Sequence, residues 1–163
     1  MSTITSFTGN TFSSDLKIGI VASEFNGEIV DKLLQDAKKT LLAHQIENIT
    51  IVRVPGAFEL PFAAQQIAKN HDAVIALGAV IRGETPHFDY VCDGCVQGLT
   101  RVIHDTNTPV VLGVLTTDTL EQAQARANGT VSDDSTGKQP TGGGTSAAIV
   151  ALRMASLARQ LKK

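Results

Sequence analysis

Residues 73–81 read AVIALGAVI, and residues 82–90 continue RGETPHFDY. The first nine carry no charge and no side-chain amide. They are too few to cross a membrane, which takes about 20 apolar residues, and too uniformly apolar for a strand with one wet face. They suit a central strand of a parallel sheet covered by helices on both sides. The abrupt change to arginine, glycine, proline and histidine marks the end of that strand. In an open α/β sheet, the carboxyl end of the strands is where ligands bind.

Working outward, three more apolar runs alternate with helical patterns. Residues 17–23 (KIGIVAS) lead through Phe25, Asn26 and Gly27 into a stretch whose apolar residues Ile29, Val30, Leu33, Leu34, Ala37 and Leu41 recur at helical spacing. Residues 49–54 form a second run that stops at Pro55-Gly56, and Pro61 then stands where a helix tolerates a missing N–H, opening a short helix through Lys69. After the central run, Val91, Cys92, Cys95, Val96, Leu99, Val102 and Ile103 predict a third helix, with Gly83-Glu84-Thr85 at its start. A fourth strand over 110–115 precedes a helix over about 120–128, and a last amphipathic helix is expected over 146–161. Strands alternating with helices predict one α/β domain over 1–163, a three-layer sandwich with a doubly wound, four-stranded parallel sheet of the flavodoxin-like kind. Two segments fall outside this alternation: a polar arm over 1–14, available to add to a neighbour's sheet, and a glycine-rich loop over 129–144.

Composition excludes several classes of function. With 42% hydrophobic and 18% charged residues the chain is ordinary globular protein, so disorder is excluded as a description of the whole. The 14 basic and 16 acidic side chains leave a net charge of −2, which offers no electrostatic footprint for nucleic acid and no polybasic anchor for a membrane. The arm lacks a basic segment followed by an apolar one, so a cytoplasmic location is expected. Cys92 and Cys95 are the only cysteines. Their Cys-x-x-Cys spacing lies inside an apolar helical pattern without a second ligand pair, and buried inert thiols are expected rather than a metal or redox site. Lys138 follows Gly137, but Gln139 stands where a phosphate-binding loop of nucleotide hydrolases needs Ser or Thr.

Polar residues and glycines gather after each strand: Phe25-Asn26-Gly27, Pro55-Gly56-Ala57-Phe58-Glu59, the 82–87 cluster, and Thr116-Thr117-Asp118. Parallel strands point the same way, so all four clusters meet at one edge of the sheet. Histidine has the unperturbed pKa nearest neutrality, and His87 is the one histidine placed at that edge, which makes it the candidate for proton transfer. Asp89 or Glu84 could orient it. His44, His71 and His104 read as packing or capping residues.

Residues 54–61 (VPGAFELP) and 76–90 (ALGAVIRGETPHFDY) resemble the two signature blocks of the lumazine synthase family, and residues 113–119 with Glu121, Gln122, Ala123, Arg126 and Ala127 are similar to its third. The resemblance extends over about 16–157 and weakens between Asn128 and Ser146. It implies condensation of 5-amino-6-(D-ribitylamino)uracil with L-3,4-dihydroxy-2-butanone 4-phosphate, with loss of phosphate and water and without metal or organic cofactor. It assigns His87 to acid/base work and Arg126, Gly83, Glu84 and Thr85 to the phosphate. Phe25 and Asn26 with Gly56, Ala57, Phe58, Glu59, Ala79, Val80 and Ile81 are assigned to the pyrimidine and ribityl pocket. Taken alone, Phe58 reads as a core residue.

The chain departs from the family pattern at two places. Leu112 stands where many relatives carry an aromatic that reaches a neighbouring subunit's site. Relatives place a phosphate-assisting lysine and a glycine in a compact loop soon after the arginine; here the loop after Arg126 is longer and its only lysine, Lys138, departs from that spacing. The resemblance also implies a homopentamer with active sites between subunits. The long loop with Pro140 and the three glycines 142–144 favours a free pentamer over a closed shell. Two rivals remain: an archaeal-type riboflavin synthase of the same fold, and a non-catalytic flavin-binding or shell-forming relative.

Overall fold

The computed structural model describes residues 2–129 and 143–162. Lys138, Pro140 and most of the glycine-rich loop, on which the expectation of a free pentamer rests, lie outside the described residues. The elements run β1 (Ile18–Ser23), α1 (Gly27–Ala43), β2 (Ile49–Val54), a 3-10 turn (Ala57–Glu59), α2 (Leu60–Ile67), a second turn (Ala68–Asn70), β3 (Ala73–Ile81), α3 (His87–Thr106), β4 (Val110–Thr117), α4 (Leu120–Ala127) and α5 (Gly143–Leu161). The four strands are all parallel in the order β2-β1-β3-β4. This is the expected doubly wound sandwich. The chain steps outward from β1 to β2 and then returns to the other side of β1, so the order reverses between β1 and β3. The carboxyl ends of those two strands flank the crevice that such a reversal opens.

Period-two alternation distributes the strand side chains between two cores. Ile18, Ile20 and Ala22 of β1 with Ile75 and Leu77 of β3 face α1, α4 and α5, whereas Val21, Val74 and Ala76 face α2 and α3. Every residue of β1 is buried, and so are the first seven of β3, as continuous apolar runs require. The end of β4 and the start of α5 differ from the sequence expectation. β4 continues through Thr116 and Thr117, because β3 runs on beside it and pairs Val80 with Thr116 and Ile81 with Thr117. The Thr117 hydroxyl then donates to the carbonyl of Thr119, whose own hydroxyl caps α4 in a reciprocal box with Gln122.

The last helix starts three residues earlier than expected, at Gly143 rather than Ser146. Gly143 and Gly144 are therefore helix, not loop. A Cβ on Gly144 would lie 1.8 Å from the Leu33 carbonyl oxygen and 2.7 Å from the Ala37 nitrogen, so this glycine lets α5 lie directly against the backbone of α1. Ala147, Ala148, Ala151 and Ala155 continue the buried face of α5 with small side chains.

The amino-terminal arm is partly fastened to its own chain. Gly9 is buried with φ +66°, where a Cβ would meet the Arg153 carbonyl oxygen at 2.2 Å, and Phe12 meets His44 edge-on at 5.4 Å between ring centroids. Residues 2–8 are exposed. His44 and His71 engage the carbonyls of Thr40 and Ile67 one turn earlier, each at 2.8 Å, consistent with capping roles. Among the described residues, no helix is long and apolar enough to cross a membrane.

Candidate active site

Three of the four strand-to-helix connections meet at the carboxyl end of the sheet, and backbone hydrogen bonds fix two of them together. Glu24 N–H donates to the Val54 carbonyl at 2.8 Å, and Phe25 N–H to that of Pro55 at 3.0 Å. The β1 and β2 exits thus run side by side beyond the sheet. Asn26 then turns the chain in the left-handed region, φ 56°, which asparagine tolerates better than most residues. Its side-chain amide donates to the Ala79 carbonyl at 2.8 Å, tying the start of α1 to the end of β3.

A cavity of about 620 Å³ lies between these connections. Phe25 lines it from β1, Gly56, Ala57, Phe58 and Glu59 from β2, and Ala79, Val80 and Ile81 from the end of β3. Gly83, Thr85 and His87 complete the set on the far side. Phe25 and Phe58 are 71% and 60% exposed, so Phe58 is no core residue. The reason is local: the Phe58 ring lies over Gly94 of α3, where a Cβ would come within 2.6 Å of Cε2, and Pro61 lies over Gly98 in the same way. Glycines one turn apart on α3 admit these rings from above and hold them at the surface instead of letting them sink between helices. Gly56 leaves room for the Glu59 carboxylate, whose Oε2 would lie 2.9 Å from a Cβ at that position.

The third connection differs from expectation. α3 begins at His87 after Pro86, so Gly83, Glu84 and Thr85 precede the helix rather than forming its first turn. The Thr85 hydroxyl accepts from His87 N–H at 3.4 Å, and Asp89 N–H bonds the Pro86 carbonyl at 3.0 Å. Asp89 is engaged by Arg82, with an ion pair at 3.2 Å, and Glu84 is exposed outside the cavity lining.

Leu112 and Arg126 do not reach this cavity within one chain. Leu112, 53% exposed on the outer strand β4, lines a separate groove of about 410 Å³ with Val150 and Met154 of α5. Arg126 is half-buried in the last turn of α4. The sequence reading missed Phe88, Tyr90 and Val91, all of which line the cavity. A signal was present: His87, Tyr90, Val91 and Gly94 stand at helical spacing and share one face of α3.

The cysteines stay outside the site. Both are free thiols, and burial pushes Cys95 up to about 11 and Cys92 upward by less. No group of three His, Cys, Asp or Glu side chains among the described residues could hold a metal ion.

The family model described as 6,7-dimethyl-8-ribityllumazine synthase matches residues 15–159, nearly the whole chain. The chain belongs to that family. It is similar to the lumazine synthase of Mycobacterium avium (strain 104), 52% identical over 137 residues that span 84% of this chain and 86% of the relative. The lumazine synthase of Mycobacterium ulcerans (strain Agy99) is also 52% identical over the same length and shares. That of Mycobacterium leprae (strain TN) is 48% identical over 144 residues, 88% of this chain and 90% of the relative. The residues that suggested a lumazine synthase from sequence, 54–61 and 76–90, supply most of the cavity wall.

Proposed function

We propose that the cavity between the β1, β2 and β3 exits is where this lumazine synthase condenses 5-amino-6-(D-ribitylamino)uracil with L-3,4-dihydroxy-2-butanone 4-phosphate. The observation that carries this reading is the meeting, in one cavity of about 620 Å³, of two exposed phenylalanines, a carboxylate and a histidine next to a glycine-containing turn. The flat pyrimidine takes the aromatic wall of Phe25 and Phe58, and the Glu59 carboxylate accepts from the ribityl hydroxyls. Ala57 and residues 79–81 supply small or aliphatic walls that leave width for a ring. The phosphate takes the backbone N–H groups of the 83–85 turn and the Thr85 hydroxyl, and Glu84 contributes through its backbone rather than its exposed carboxylate.

The reaction needs protons moved more than it needs a strong nucleophile. The pyrimidine amine and the ketone form an imine with loss of water, inorganic phosphate leaves, and the ribitylamino nitrogen closes the second ring onto the remaining carbonyl with loss of a second water. His87 at the cavity edge takes and returns protons in these steps. No metal or organic cofactor is required by this chemistry.

One chain supplies only part of the phosphate site. Arg126 and Leu112 lie away from the cavity, which supports a site completed by a neighbouring copy, with Arg126 as the bidentate partner of the phosphate and Leu112 as an apolar cover. We therefore assign the working form to a cytoplasmic homopentamer with sites between subunits. Asn26 acts here as the tie to Ala79 that holds the crevice in shape.

The test is to mix the purified protein with both substrates and follow lumazine absorbance. Lumazine formation with release of one phosphate per product supports the reading. Riboflavin formed from lumazine alone would support the riboflavin synthase alternative, and lumazine binding without turnover the non-catalytic one.

A further inference from the structure

Arg82 is the first residue beyond β3, and it contacts β4, the connection after β4 and the first turn of α3. Its backbone N–H donates to the Thr117 carbonyl at 2.9 Å, the hydrogen bond that follows the last β3–β4 pair. Its guanidinium Nε donates to Asp118 Oδ1 at 2.9 Å, and Nη1 lies 3.2 Å from Asp89 Oδ1. The guanidinium carbon sits 4.2 Å from the centroid of the Phe88 ring, in cation–π range. Asp118 is itself held, because its N–H donates to Gln122 Oε1 at 2.8 Å within the cap of α4. The hydrogen bond to Asp118, with Asp89 beside it, raises the Arg82 pKa further, so the guanidinium is a permanent cation.

We propose that Arg82 is a positioning residue for lumazine formation: bridging Asp118 after β4 to Asp89 and Phe88 in the first turn of α3, it fixes the 83–86 turn and His87 against the cavity. Residues 83–86 are spanned by this one residue, whose backbone N–H fixes the near end to β4 and whose guanidinium holds Phe88 and Asp89 just beyond the far end. Pro86 presents no N–H and gives no side-chain cap to α3, so among the described residues the local fastening of the helix start is the long bond from His87 N–H to the Thr85 hydroxyl and the turn bond from Asp89 N–H to the Pro86 carbonyl. Phe88 and Asp89 lie between the cavity-lining His87 and Tyr90, and holding them sets the rotation of the first turn. The pairs are exposed, and exposed ion pairs add little to stability. Their effect lies in geometry, which the planar fork of arginine supplies and the single ammonium of lysine does not.

The inference rests on the catalytic reading of the cavity, and the experiment separates the two. Arg82→Ala and Arg82→Lys are compared with the unaltered protein in steady-state kinetics and in hydrogen exchange of the peptide covering 83–90. In Arg82→Ala, turnover is expected to fall about tenfold and the Michaelis constant for the butanone phosphate to rise severalfold. That for the pyrimidine should stay within about twofold, because Phe25 and 56–59 are held by other bonds. Arg82→Lys should restore less than half of the lost turnover. Unchanged kinetics, full rescue by lysine, or a loss of turnover that only tracks the folded fraction with both Michaelis constants unchanged would overturn the proposal. If the unaltered protein forms no lumazine, the catalytic reading fails. Exchange then decides the positioning role alone: faster exchange over 83–90 in Arg82→Ala upholds the tether, and unchanged exchange removes it.

Discussion

The two edges of the parallel sheet serve opposite purposes. At the amino end, one carboxylate closes the fold: Asp72, between the turn after α2 and the start of β3, accepts from Lys17 N–H at 2.7 Å and from Arg159 Nε and Nη2, each at 3.0 Å. Arg159 reaches on to Asp15 at 2.8 Å, so the last helix is fastened to the entries of both β1 and β3. Leu16 and Ile46 are fully buried at this end. At the carboxyl end, Phe25, Phe58 and Tyr90 stay largely exposed around an open cavity, and the ion pairs of Arg82 lie at the surface. The comparison teaches a division of labour. Polar groups at the amino end are paired, around a partly shielded Asp72 and beside buried apolar residues, which contributes stability, while the carboxyl end leaves apolar surface and hydrogen-bonding groups free for a ligand to satisfy.

The sharpest break of this division is His87→Ala. His87 is exposed at the first position of α3, and among the described residues its imidazole is engaged in no hydrogen bond that holds the fold. Turnover is expected to fall about a hundredfold, the usual size of a general acid/base effect, with the urea midpoint unchanged. Steady-state rates and a urea titration check both halves. Unaltered turnover would remove His87 from the chemistry, and a large loss of stability would show that the open end also holds the fold together.

Asp72→Ala is the opposite break. It leaves the Lys17 N–H without its acceptor and the Arg159 fork with Asp15 alone, at a site where the Asp72 carboxylate is 21% exposed. A charged hydrogen bond lost at a partly shielded position costs about 1–2 kcal/mol once solvent screening is allowed for. Both Michaelis constants and turnover of the folded protein should stay within about twofold. A change in either Michaelis constant would mean that the two ends are coupled through β3.

The same division governs how much can be read from sequence. The central strands β1 and β3 are legible because burial on both faces demands uninterrupted apolar runs, and 73–81 is such a run. The polar clusters are legible because the parallel sheet sends them all to one edge. What escapes depends on contacts between distant backbones. Nothing local shows that Gly144 packs on Leu33, so the sequence pattern starts α5 too late. Thr116 and Thr117 look like loop until the length of β3 is known. Phe58 reads as core because its support, Gly94, lies a full element away, and the alliance of Asp89 with Arg82 is hidden because Asp118 completes it from the connection after β4.

Gly83→Ala sharpens the comparison within the open end. A Cβ at Gly83 would meet no heavy atom within 4 Å, and its φ lies outside the left-handed region, so neither space nor conformation within the chain requires glycine there. Yet Gly83 lines the cavity. If the phosphate approaches this backbone closely, an added methyl should raise the Michaelis constant for the butanone phosphate severalfold, about 1 kcal/mol by the tenfold rule. The pyrimidine constant should stay unchanged, and the urea midpoint should not fall, since alanine restricts the unfolded chain here as well. An unaltered butanone phosphate constant would move the phosphate away from the 83–85 turn.

Gly27→Ala is the smallest break and serves as the control for Gly83. Gly27 also stands at the carboxyl end of the sheet, opens α1 directly after Asn26, and would bring an added methyl no closer than 4 Å to any heavy atom. Its φ is likewise outside the left-handed region, but it does not line the cavity. Alanine restricts the unfolded chain and suits a helix, so the substitution should stabilise the protein by about 0.4–1 kcal/mol. Turnover and both Michaelis constants should not change. The two glycines then differ only in whether a ligand passes over them, and the pair separates ligand contact from backbone effects. A rise in the pyrimidine constant on Gly27→Ala would extend the ligand site past Phe25 onto the first turn of α1, and a drop in stability would show that the tie from Asn26 to Ala79 needs the freedom of glycine beside it.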